Sequence, residues 1–166
     1  MAAPMLLSKL RGLWPRSVNR GSPVPPQSLS TQQIETALHA SHRLRDLLAA
    51  FSEEGTSLLD LVLNGQPHQA WRMYPREGGI LDERTASQYF YHSHADYVGE
   101  HGHFHTFVYD QRKLVHLVAI GLDPRGLPNA LYTFNRWGPG DTVLSAHQLG
   151  ALLPHFKVGR LPGADA

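Results

Sequence analysis

Five histidines fall within fourteen positions of this chain: His92 and His94, then His101, His103 and His105. Their spacing alternates, and a strand sends every second side chain to the same face. If 101–109 is extended, His101, His103 and His105 project one way, and His92 and His94 share a face on a preceding strand. Neutral imidazole ligates zinc, copper, iron and nickel. Three nitrogen ligands with one open position form a standard catalytic arrangement. A single strand histidine is more often a surface or core residue, but five at this spacing are hard to reconcile with that. The expectation is a mononuclear transition-metal site, with zinc, iron(II) and copper equally compatible. A metal-free catalytic or nucleotide site and a structural or pH-responsive cluster are the alternatives.

Register adds His116. With Gln111-Arg112 as a two-residue turn, Asp110 pairs with Lys113, Tyr109 with Leu114, Phe107 with His116 and His105 with Val118. His116 then lies on the histidine face, and one more turn residue would flip it away. Glu100 directly precedes the triad, and Asp96 lies between the two histidine groups. Either could ligate a metal, serve as general base on bound water, or orient a ligand histidine. Strict alternation points Glu100 away from the triad, so it needs a loop or bulge, which Gly99 and Gly102 permit. Arg136 and Trp137, at the end of the last expected strand, could bind an anion or stack on a planar ligand.

These residues need elements to hold them. Ser30 and Gln33 fit a capping box, and Ile34, Ala37, Leu38, Ser41, Leu44, Leu48 and Phe51 follow one helix face that stops before Gly55. A shorter helix is expected over 57–63, with Asn64-Gly65 as its stop. Residues 65–87 read as loop. Strands are expected over 88–94, 103–109, 114–122 and 130–135, and a helix from Ser145. The class is α+β: two N-terminal helices and a short C-terminal helix packed on an antiparallel sheet of about four strands.

The chain has 166 residues and no cysteine, which excludes disulfide scaffolds, zinc-thiolate sites and thiol nucleophiles. No apolar run approaches the ~20 residues of a membrane span. Charge is uneven. Residues 1–34 carry Lys9, Arg11, Arg16 and Arg20 and no acid, whereas the rest holds 11 basic and 14 acidic residues. With a net charge of only +1, no nucleic-acid partner is expected. Residues 1–30 read as a basic arm and a Pro-rich linker, 31–154 as the histidine-rich domain and 155–166 as a tail. Leu6, Leu7, Leu10, Leu13 and Trp14 at helical spacing suit a protein partner, a membrane surface or an organelle transit peptide.

Three resemblances follow. His92-Ser93-His94 with Glu100 is similar to the first cupin motif, with a longer gap and no second motif. His101-Gly102-His103-Phe104-His105 resembles the histidine-triad nucleotide hydrolases and transferases, which would make His103 a nucleophile without metal. The third covers most of the chain, roughly 32–153. Trp71–Pro75, Gln88–His94, Glu100–Phe107 and Asn135-Arg136-Trp137 together resemble a bacterial domain family of unknown function. That resemblance implies a bacterial, cytoplasmic protein and brings no reaction with it. The leading expectation is therefore a metal-binding domain or small metalloenzyme, with Glu100 and His103 as its catalytic candidates and an unknown small-molecule substrate. A non-catalytic accessory subunit docked by the basic arm is the second reading, and the triad-type enzyme the third.

Overall fold

A computed structural model describes residues 30–94, 99–133 and 144–159. Helix α1, Thr31–Glu53, starts at Ser30, whose hydroxyl accepts the Gln33 amide while the Gln33 side chain accepts the Ser30 amide. It closes where Thr56 N–H donates to the Phe51 carbonyl and Gly55 turns left-handed at φ 65°. Helix α2, Leu58–Leu63, runs from its Ser57 cap to a left-handed Asn64. Helix α3, Ala146–Leu152, has its own capping box from Ser145 and Gln148.

Five antiparallel strands form a meander in the order β1-β2-β3-β4-β5. They are β1 Ile80–Asp82, β2 Ser87–His92, β3 Gly102–Asp110, β4 Lys113–Leu122 and β5 Pro128–Tyr132. The sheet has one strand more than the sequence suggests. Strand β1 is three residues long and sits in a Gly/Pro-rich stretch, too short to show alternation. Its pairing, Ile80 with Tyr89 and Asp82 with Ser87, reveals it.

The β3–β4 hairpin turns on Gln111 and Arg112, both left-handed at φ 47° and 67°, as the two-residue turn that matches strand twist requires. Asp110 faces Lys113, Tyr109 faces Leu114 and Phe107 faces His116, as the two-residue turn implies. Beyond that point the expected register is corrected: His105 faces Ala119, not Val118. Leu117 and Val118 together oppose Thr106, whose hydroxyl donates to the Val118 carbonyl and accepts its amide. This bulge in β4 absorbs one residue, and His105 and His116 share a face because Phe107, two residues on from His105, pairs with His116.

One sheet face packs α2 through Leu59, Val62, Tyr91 and Leu122. On the same face Val108, Val115 and Leu117 pack against Leu149, Leu152 and Phe156 of the C-terminal region. Helix α1 is placed differently from expectation: none of its residues is buried. Its apolar periodicity shows which side is apolar but not whether the sheet covers it. Residues 157–159 are tied to the sheet, because Gly159 N donates to Asp82 at 3.0 Å and Thr85 Oγ1 to the Lys157 carbonyl at 2.7 Å. The opposite sheet face carries Phe90, Phe107 and the histidines, with Met73 from the preceding loop packed on it.

Candidate metal centre

Strands β2 and β3 set the centre. His92 faces His103 directly, and Phe90 faces His105. His92, His103 and His105 are 1–2% exposed. Their ligand atoms all lie within 4.8 Å of one another, the one such group among the described residues. His92 Nε2 stands 3.0 Å from His103 Nε2 and 2.9 Å from His105 Nε2. Around an ion bound at the usual metal–imidazole distance of about 2.0–2.1 Å, adjacent nitrogens stand roughly 3 Å apart.

The outer nitrogens are engaged. His103 Nδ1 is 2.6 Å from Glu100 Oε1, and the Tyr132 hydroxyl donates to Glu100 Oε2. His105 Nδ1 is 2.9 Å from His116 Nε2. A carboxylate can only accept, so His103 Nδ1 carries the proton in the neutral ring and its Nε2 turns a lone pair inward. If His105 Nδ1 likewise donates to His116, a second lone pair points inward. One proton on His92 Nε2 can point along only one of its two short N···N contacts. A cation at the centre would accept all three lone pairs at once.

Burial favours the neutral, ligating form. Desolvation first, then His103 and His94, pushes His92 down to about 2. Desolvation first, then the surrounding imidazoles, carries His105 well below its ordinary value. His116 is pushed down to about 3 by burial and by His103. Burial works against ionising Glu100, but the hydrogen bonds from His103 and Tyr132 outweigh it and hold the carboxyl below its ordinary value.

Two glycines make the room. A Cβ on Gly102 would lie 2.5 Å from the His92 carbonyl oxygen, and one on Gly121 would lie 2.7 Å from Glu100 Oε2. Gly99, left-handed at φ 85°, turns the chain so that Glu100 reaches His103 from outside the strand. Strict alternation does not bind Glu100, because β3 begins after it.

The other sequence candidates divide. His94 borders the cluster, its ring 4.7 Å from His92 and 5.2 Å from His103, with Trp71 edge-on at 4.2 Å. His101 precedes β3 and does not join the converging group. Its Nδ1 meets the Tyr91 hydroxyl at 2.7 Å, and its ring lies 4.3 Å from His68. The triad expected from alternation, His101 with His103 and His105, is replaced by His92 with His103 and His105. Asp96, Arg136 and Trp137 lie outside the described residues. Tyr132 was not distinguished by the sequence, since only the β4–β5 register brings it to Glu100. His68, 2.8 Å from Ser93 Oγ, sits in a loop without periodicity.

A family model described as a domain of unknown function, DUF6969, matches residues 38–165, and the chain belongs to that family. No curated protein and no solved structure gives a significant match.

Proposed function

With membership of a family that carries no reaction as the premise, we propose from the site alone that this chain binds one divalent transition-metal ion. The ligands are the Nε2 atoms of His92, His103 and His105. Glu100 and His116 orient two of these rings, and Tyr132 anchors Glu100. The observation that carries the proposal is the convergence of three buried imidazole nitrogens, two of them held from behind. Metal-ligating histidines characteristically donate their other nitrogen to a carboxylate or similar group, which fixes the tautomer and strengthens the ligand.

An all-imidazole set suits zinc, iron(II) and copper alike. Three protein ligands leave further positions for water or a substrate atom, the condition for metal-assisted catalysis. Glu100, held ionised beside the cluster, is the group placed to manage a proton. The geometry does not favour a metal-free triad-type enzyme. In such an enzyme the His103 Nε2 must face a phosphate, but here it is buried against His92.

Elemental analysis of untagged protein tests the reading, with His92→Ala, His105→Ala and His101→Ala alongside. The expected result is about one equivalent of a single metal in the native chain and in His101→Ala, with loss in the other two variants. Protein that stays metal-free and refuses zinc, iron and copper on reconstitution would overturn it.

A further inference from the structure

Helix α1 spans 23 residues, about 34 Å at the usual rise, with no buried residue and, among the described residues, no strand or other helix packed extensively against it. Ile34, Leu38, Leu44 and Leu47 are 44–54% exposed. Most helical stability in proteins comes from packing an apolar face rather than from propensity. The face in question runs in heptads, with Ile34, Ser41 and Leu48 at one core position and Ala37, Leu44 and Phe51 at the other.

We infer that α1 is a self-association surface, and that its partner is α1 of a second copy running antiparallel. Antiparallel pairing sets the first core position of one helix against the second core position of the other. In this sequence that gives Ile34 against Phe51, Ala37 against Leu48 and Ser41 against Leu44, each twice about a two-fold axis. All six layers fall in one register, and in it the two helices overlap end to end. Each small residue meets a large one, as dense packing asks. Parallel pairing would instead stack Ala37 on Ala37, Ser41 on Ser41 and Phe51 on Phe51, alternating voids with crowding.

Charge agrees with the antiparallel arrangement. The flanking positions hold Gln33, Leu38, Ala40, Arg45, Leu47 and Ser52, so no like charges face each other across either rim, while Glu35, Arg43, Asp46 and Glu53 lie on the outer side. The exposed apolar side chains of α1, Ile34, Leu38, Leu44 and Leu47, offer roughly 400 Å² per copy, at on the order of 100 Å² each, and half-buried Leu48 and Phe51 add less. Stable interfaces use ~800 Å² per partner, a size the pair approaches once its rims are added. The contact is isologous, so it closes as a dimer.

The test is sedimentation of the full chain over a range of concentrations, with cysteine cross-linking. The chain has no cysteine of its own, so single-cysteine variants report cleanly. The native chain should be a dimer and Leu44→Glu a monomer with unchanged metal content, the latter showing that the domain still folds. Mixing I34C with F51C under oxidation should give mainly the mixed disulfide. Three outcomes would overturn the proposal: a native chain that stays monomeric, a dimer that survives Leu44→Glu, or I34C linking only to I34C.

Discussion

At the residue scale, the account turns on how Glu100 is held. Its carboxylate accepts from His103 and Tyr132 in a space kept open by Gly121. Glu100→Gln removes the charge and presents either an oxygen or an NH₂ group to His103 Nδ1. Metal affinity should fall about 10–100-fold, the usual cost of losing such an orienting group, measured by competition with a chromophoric chelator. Gly121→Ala should lower affinity in the same direction without touching a ligand, because its Cβ would come within 2.7 Å of Glu100 Oε2. Unchanged affinity in both variants would remove Glu100 from the site. Much of this scale is legible in the sequence: His92, His103, His105 and Glu100 are candidates by type and spacing, and His116 by register. Which three rings converge is not legible, because His101 leaves the strand pattern just where β3 begins, and its ring turns to Tyr91.

At the element scale, one turn and one clamp make predictions. Arg112 is left-handed at φ 67° in the β3–β4 turn, a conformation costing a residue with a Cβ roughly 1 kcal/mol more than glycine. Arg112→Gly should therefore stabilise the hairpin by up to about 1 kcal/mol in denaturant unfolding, with metal binding unchanged. Asp82 accepts from the Gly159 and Arg84 amides. Burial works to raise its pKa, but these hydrogen bonds and the Arg84 charge outweigh it, leaving the carboxyl below its ordinary value. A depressed carboxyl stabilises the fold above its unfolded value, about 3.9. That stabilisation is lost as pH falls through the lower folded value. The Gly159 amide resonance should therefore hold steady down to about pH 4 and shift below it, and Asp82→Asn should abolish that titration. Four of the five strands, the capping of α1 and α3 and the first pairs of the hairpin register could be read from the sequence, the caps through Ser30 and Ser145 and the register through Gln111-Arg112. The β4 bulge could not, because it depends on the Thr106 hydroxyl meeting both backbone groups of Val118.

At the scale of the whole molecule, the sheet divides the labour. One face builds the core with α2 and α3, and the other gathers the histidines. The α+β class follows from sequence periodicity, but the placement of α1 off the sheet does not, since an apolar stripe does not record what it packs against. No helix among the described residues is long and apolar enough to cross a membrane. Binding that favours the folded chain should stabilise it by about 2.7 kcal/mol at a hundredfold excess over Kd. Scanning calorimetry with and without zinc should show this as a rise in Tm that His105→Ala loses.

The central claim is that three imidazoles share one ion. X-ray absorption at the metal edge of the loaded, untagged protein tests it most directly. The account predicts three imidazole nitrogens at about 2.0–2.1 Å, falling to two in His92→Ala, which loses its metal on purification and is reloaded with excess ion for the measurement. Ligation by one or two imidazoles in the native chain, or a spectrum unchanged in His92→Ala, would contradict it.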